Sequence, residues 1–215
     1  GGLTMTSFNG TGLLAVWTDV DAEAEAEFNR WYDTEHVPER IALPGFLSGK
    51  RYVAVEGQPK YLALYYLDDE SVLKSDAYLK ITKSPSEWTW RMTPHFRNTS
   101  RCVYKEIFAH GERPPSEANF VLTVRLNTPL EHEKEFNEWY DVDHVPALVA
   151  VPGVYCARRY VALEGNPKYL AVYELEEASV TKSDAWERAR NSDWTKRIRP
   201  YLRDLHAVTT RRLTP

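Results

Sequence analysis

Two apolar runs open the pattern, at residues 12–17 and 120–126, and both have the β-branched and aromatic content of strands. Each is followed by an acidic stretch with good helix formers early, residues 21–36 and 130–144. Within the first stretch Phe28, Trp31, Tyr32, Glu35 and His36 fall at i, i+3, i+4, i+7 and i+8, which is one face of a helix. Asp19 or Thr128 can cap the helix start, Pro129 suits a first turn, and the leading carboxylates favour the positive helix end. Val37 precedes a proline and is biased away from helical geometry, so the helix is expected to end close to His36. After Pro44-Gly45 come two strand-like runs, 47–55 and 60–67, separated by Glu56-Gly57-Gln58-Pro59; the second half has Glu164-Gly165-Asn166-Pro167 there. A longer helical region follows in each half, then a last strand near 101–108 or 207–213.

The two halves are copies. Residues 27–66 align without gaps on 135–174, with 24 identities in 40 positions. Trp31-Tyr32-Asp33 returns as Trp139-Tyr140-Asp141, and His36-Val37-Pro38 as His144-Val145-Pro146. The register slips by two residues only beyond Ala77, after which Trp88-Thr89 matches Trp194-Thr195. The order β-α-β-β-α-β is the split βαβ, ferredoxin-like unit. Its four-stranded sheet leaves one apolar face open, and a second copy is the available cover. The expectation is therefore an α+β fold, with two ferredoxin-like modules fused in one chain to form an intrachain dimeric α+β barrel. Residues 1–110 form the first module, 111–117 the linker and 118–215 the second module. Gly1 to Thr4, ahead of Met5, read as an added remnant before the natural start.

If Glu56 pairs with Pro59, one sheet face carries Lys50, Tyr52, Ala54, Tyr61, Ala63 and Tyr65, and suits the barrel interior. Arg51, Val53, Val55, Leu62 and Leu64 then face the helices. The second copy repeats the inward set as Arg158, Tyr160, Ala162, Tyr169, Ala171 and Tyr173. These tyrosines either line a binding site or simply fill the contact between sheets.

Composition narrows the classes. A net charge of −4 gives no basic surface for nucleic acid or acidic lipid. No stretch approaches the roughly 20 apolar residues of a membrane span, and the start lacks the regions of a signal peptide. The two cysteines, Cys102 and Cys156, are not repeat-equivalent and read as reduced core thiols, which implies a cytoplasmic protein.

Of six histidines only His36 and His144 are repeat-equivalent. Each is placed among aromatics near an expected helix end, where the dipole favours imidazolium, with Asp33 or Asp141 three residues back to orient the ring. Such a histidine, tuned near neutrality beside Tyr32 or Tyr140, is a candidate general acid–base group. The candidate catalytic set is thus His36, His144, Asp33, Asp141, Tyr32 and Tyr140. Trp31, Trp139, Tyr52, Tyr61, Tyr65, Tyr160, Tyr169 and Tyr173 are candidates for holding substrate. A purely structural role, with the histidine capping carbonyls and holding the Pro turn, stands beside the catalytic one. No zinc, calcium, phosphate-loop or nucleophile-elbow motif is present, so no metal and no cofactor is expected. The copies diverge directly after the histidine, Glu39-Arg40 against Ala147-Leu148, where two pockets would come to differ.

The phrase Trp31-Tyr32-Asp33-Thr34-Glu35-His36-Val37-Pro38, followed by Pro44-Gly45-Phe46 and a strand, resembles the EthD-type branch of the dimeric α+β barrel superfamily. Single-module members of that superfamily dimerise to build the barrel, and this chain resembles a fused version. The resemblance implies a small aromatic or carbonyl-bearing substrate held between helices and sheet, with proton transfer by His or Tyr. Polyketide cyclases, lactone isomerases, aldoxime dehydratases, cofactor-free monooxygenases and haem-dependent enzymes share the wider superfamily; some fungal EthD-like proteins are dehydratases or decarboxylases. The expected function is a cofactor-independent lyase, isomerase or cyclase acting through His36 and His144. The alternative is a non-catalytic module that binds a small molecule or, less readily, haem, or else a scaffold. A homodimer of the fused chain is a further possibility.

Overall fold

The computed structural model describes residues 10–114 and 116–213. The first half runs β1 (Gly12–Val20), α1 (Glu25–Trp31), a wide π-helical turn (Tyr32–His36), α2 (Val37–Ile41), β2 (Phe46–Glu56), β3 (Tyr61–Leu67), α3 (Asp76–Lys83), α4 (Glu87–Met92) and β4 (Phe96–Gly111). The second repeats it as β5 (Phe120–Asn127), α5 (Glu133–Trp139), a second π turn (Tyr140–His144), α6 (Val145–Val149), β6 (Val154–Glu164), β7 (Tyr169–Leu175), α7 (Asp184–Ala189), α8 (Asp193–Ile198) and β8 (Arg203–Arg212). The remnant expected at residues 1–4 lies outside the described residues. No helix among the described residues is long and apolar enough to cross a membrane.

All eight strands close into one antiparallel barrel, in the order β1-β3-β2-β8-β5-β7-β6-β4. Each copy contributes four neighbouring strands, and the copies join at two hydrogen-bonded seams, β2 with β8 and β4 with β6. Closure removes the sheet edges that would otherwise offer unpaired backbone to other chains. Helices cover the outside and side chains fill the lumen, so strands are buried on both faces; β3, YLALYYL, is buried throughout. The last strands are longer than expected, because β4 and β8 carry these seams.

The lumen is packed with Leu13, Trp17, Tyr52, Leu62, Leu64, Tyr66, Tyr104, Tyr160 and Leu170, drawn from both halves. Tyr61, Ala63 and Tyr65, and likewise Tyr169, Ala171 and Tyr173, belong instead to the cores beneath the helices. The expected face is therefore correct for β2 and β6 and inverted for β3 and β7. The cause is one residue of register: Ala54 N–H bonds to Lys60 O at 2.7 Å and Val53 pairs with Tyr61, so the hairpin closes one step earlier than a Glu56–Pro59 pairing requires. Since side chains alternate, that single step exchanges every residue between faces.

The helix does not end at His36 either. Pro38 lacks an N–H and its ring would strike the carbonyl four residues back in a regular α-helix. The π turn removes the conflict: Val37 N–H reaches back five residues to Tyr32 O, and Pro38 sits in the first turn of α2. The expected caps are also differently employed, with Asp19 accepting from Lys60 N–H and Thr128 bonding Tyr201 O. Between β4 and β5 the chain packs across one end of the lumen. There Arg113 pairs with Glu174 at 3.3 Å and lies over the Tyr66 ring, while Glu117 meets Lys50 and Arg212.

Candidate functional site

The π turns place each motif side chain. Widening the helix over Tyr32–His36 turns His36 back onto its own helix, where the imidazole lies 4.3 Å from the Trp31 ring and edge-on to Tyr32 at 5.0 Å. His144 repeats this against Trp139 at 4.4 Å and Tyr140 at 5.4 Å. Each group borders a cavity between the outer sheet face and the helices. One, of about 480 Å3, is lined by Trp31, Tyr32, His36, Arg40, Tyr65 and Tyr78, among others. The other, of about 510 Å3, is lined by Trp139, Tyr140, His144, Leu148, Tyr173 and Trp186, together with Arg190 and Arg199. Such volumes suit small-molecule ligands.

Both histidines are neutral under ordinary conditions. Burial, then the positive charges of Arg40 and Arg51, hold His36 well below its usual value. Burial, then Arg190, Arg199 and Arg159, lower His144 to about 3. This corrects the expectation of a histidine tuned near neutrality: the helix continues past the ring, so no helix end favours imidazolium there, and desolvation dominates. Nδ1 of each histidine is shut off from solvent and has no hydrogen-bond partner among the described residues. Nε2 is thus the nitrogen through which the ring can address the cavity. Tyr65 and Tyr173 line the same cavities with buried hydroxyls; that of Tyr65 has no partner among the described residues, while that of Tyr173 lies against the hydroxyl of Tyr140. Burial raises both phenols well above 10, and Tyr32 and Tyr140 rise to about 12. Each cavity therefore presents a neutral imidazole and neutral phenols.

Asp33 and Asp141 do not orient the histidines. Asp33 accepts from Arg51 at 3.0 Å, whose second nitrogen donates to Asn29 at 2.8 Å. Arg159 makes the same clamp to Asp141 and Asn137, each at 2.8 Å. Both arginines are 1% exposed and lie over the Tyr32 and Tyr140 rings, at 4.5 and 4.3 Å. They are on the helix side of the sheet, where they serve as buried anchors of α1 and α5. Glu35 is equally occupied, accepting from Trp31 Nε1 at 3.1 Å and from Ser86 Oγ at 2.7 Å, the hydroxyl that caps α4.

Of the residues expected to hold substrate, Trp31, Trp139, Tyr65 and Tyr173 line the cavities. Tyr52 and Tyr160 face the lumen, following the closed barrel. Tyr61 and Tyr169 donate to Glu25 at 2.8 Å and Glu133 at 2.7 Å, and so brace the helix starts. Sequence reasoning missed Asn29 and Asn137, although Asn-x-x-x-Asp, repeated on one helix face with a matched arginine downstream, is a visible signal. It also missed Arg190 and Arg199, which have no repeat counterpart of the same type. One cluster of possible metal donors, Asp21, Glu23 and His95, lies elsewhere; there Asp21 already bonds His95 at 3.0 Å and Arg97 at 2.8 Å. Cys102 and Cys156 are buried free thiols, and Cys156 donates to Glu174 at 2.8 Å, which with burial raises the thiol.

No protein-family model matches the sequence, and no curated protein sequence does. Solved structures do match in shape. An anthrone oxidase-like protein superposes with a TM-score of 0.68 at 12% identity, over 94% of this chain and 91% of that one. A candidate monooxygenase from Fusobacterium nucleatum gives 0.61 at 12% identity, over 96% and 94%. A mutant chlorite dismutase from Candidatus Nitrospira defluvii, in complex with cyanide, gives 0.60 at 10% identity, over 96% and 91%. At these identities the likeness is one of fold, and the fold shared with these proteins is the dimeric α+β barrel.

Proposed function

We propose that the protein is a small-molecule enzyme of the EthD-like kind, which moves a proton on an aromatic or carbonyl-bearing substrate in each of its two histidine cavities. The observation that carries this reading is the twofold pairing of a neutral, half-buried imidazole with a buried phenol in the lining of one cavity, His36 with Tyr65 and His144 with Tyr173. A substrate oxygen seated between the phenol hydroxyl and Nε2 of the imidazole would bond to both.

The depressed histidine values shape the chemistry. In the empty cavity each imidazole is a weak base, and its imidazolium would carry a buried Nδ1–H without an acceptor. Neutral imidazole serves best as a hydrogen-bonding partner of a substrate carbonyl or phenol. An enolate or phenolate forming beside it raises the histidine's basicity, because an adjacent negative charge favours the charged ring. Proton transfer is then coupled to the charge the substrate develops. Removal of an acidic C–H proton is the step common to the lyase and isomerase readings and to oxidation of an anthrone, the substrate named for the anthrone oxidase-like neighbour.

Haem fits these residues poorly. A histidine that ligates metal ordinarily donates its other ring N–H to an acceptor, and Nδ1 has none in either copy.

Anthrone in D2O is a direct probe. Deuterium entry at its methylene carbon, followed by NMR, reads proton transfer, and oxygen uptake reads any oxidation after it. His36→Gln and His144→Gln should each remove part of the exchange, and the double variant all of it, with melting temperature retained. Exchange at the solvent rate in the wild type, or unchanged in the double variant, rejects the proposal. Exchange without oxygen uptake points to lyase or isomerase chemistry.

A further inference from the structure

The repeat is broken most sharply at one end of the lumen, away from both histidine cavities. Trp17 and Ser100 of the first copy are opposite one another on β1 and β4. Their counterparts in the second copy, opposite one another on β5 and β8, are Arg125 and His206. Residues paired in this way leave the sheet on the same face. Duplication followed by divergence has thus put an arginine and a histidine where the first copy has an indole and a hydroxyl.

Arg125 is 3% exposed, and its guanidinium lies flat on Trp17, 3.9 Å from the ring. It makes no ion pair or hydrogen bond among the described residues, and its buried Nε has no acceptor. It lines a cavity of about 470 Å3 that opens between the two hairpin loops, bordered also by Ser100, His206, Asn98, Asp19 and Asp204. The two carboxylates are already engaged: Asp19 accepts from Lys60 N–H and Asn98, and Asp204 from Asn127. Asn98 and Asp204, each at a positive φ of 52° and 51°, occupy equivalent corners of this rim. A guanidinium cannot shed its charge, and a buried cation without a counterion is among the most expensive things a fold can hold. Stacking on an indole leaves the planar fork of N–H donors free at its edge, the geometry that carboxylates and phosphates match.

We propose that this mouth of the barrel binds a small oxyanion, a carboxylate or a phosphate, on Arg125, with His206 as a further donor. The site is independent of the histidine cavities and of the chemistry assigned to them.

Trp17 reports on it directly. In the full chain with 15N-labelled indoles, inorganic phosphate and benzoate are titrated separately at fixed ionic strength, and the Trp17 N–H resonance is followed. A saturable shift is expected, weakened about tenfold or more by Arg125→Gln, as loss of a charge-assisted fork requires. The probe with the higher affinity distinguishes a free inorganic anion from an organic acid. Arg125→Lys keeps the charge without the fork; it should also lose affinity, and serves where Arg125→Gln does not fold. The proposal is overturned if neither probe moves Trp17 up to tens of millimolar, if the variants bind as tightly as wild type, or if movement is confined to Trp31 and Trp139.

Discussion

The His36 and His144 cavities share a floor and differ in their walls. Trp, Tyr, His and the facing Tyr65 or Tyr173 are identical, and both histidines stack on their tryptophans in the same way. Around the first cavity the cations are Arg40 on α2 and Arg101 on β4. At the equivalent positions of the second stand Leu148 and Ala207; its cations are Arg190, Arg199 and Lys182, where the first copy has Thr82, Thr93 and Lys74. Positive charge has moved from one side of the cavity to the other while the reacting groups stayed fixed. Fusion permits this, because each copy can then change without changing its partner. The difference teaches that the two cavities share a chemistry and approach it with differently placed charge.

The largest effect should come from the part the halves share most closely. Arg51 and Arg159 are buried, and truncating the aspartate strips a buried cation of its carboxylate. Asp141→Ala should cost about 3 kcal/mol, measured by urea unfolding. Asp33→Ala should cost less, since its carboxylate side chain is 43% exposed against 33% for Asp141 and is already partly screened by water. Equal and negligible losses would show that neither clamp anchors its helix.

Next, taken one pH unit at a time, is the acid limb of stability. His144 falls from 6.5 to about 3 on folding, so between those values the unfolded chain binds the extra proton. Its stabilising contribution is complete above pH 6.5 and is lost as pH falls toward 3, at about 1 kcal/mol per pH unit. His36 is lowered in the same direction and should add a similar slope. His144→Gln and His36→Gln should each flatten the stability profile below pH 6.5 without altering it above. An unchanged profile would mean that the rings are more hydrated than their burial indicates.

Much of this comparison was readable in advance, and the remainder has definite physical causes. The repeat, the element order and the divergence at Arg40 and Leu148 follow from identity and periodicity, which are local. The inversion of Tyr61 and Tyr65 turned on one residue of hairpin register, which alternation alone does not set. Asp33 was matched to the nearest histidine along the helix, whereas its partner Arg51 comes from a strand packed beneath it. The depressed histidines depend on the π turn, a device for fitting Pro38 without breaking the helix, and nothing in a 3.6-residue period reveals it.

Exchanging wall residues between the cavities isolates the asymmetry. Arg40→Leu gives the first cavity the residue of the second, and Arg199→Thr does the reverse. With salicylate as an anionic aromatic probe and the Trp31 and Trp139 indole signals as reporters, each change should weaken binding about tenfold in its own cavity and leave the other unmoved. Weakening in both at once would show that the cavities are coupled through the barrel.

The smallest expected effect separates the halves by a single hydrogen bond. Ser86 and Ser192 cap α4 and α8 by accepting from Thr89 N–H at 3.1 Å and Thr195 N–H at 3.0 Å. Each also donates to the motif acid, to Glu35 at 2.7 Å or to Asp143 at 2.6 Å. Replacing either by alanine removes a cap and should cost about 1 kcal/mol, a fall of roughly 2 to 4 °C in melting temperature. The acids are left differently. Glu35 keeps the Trp31 indole as a donor, whereas Trp139 gives its N–H to Thr195, so Asp143 loses its donor outright. Ser192→Ala should therefore melt slightly below Ser86→Ala. The reverse order would mean that the longer reach of Glu35, and not its second donor, sets how firmly the motif acid holds the next helix.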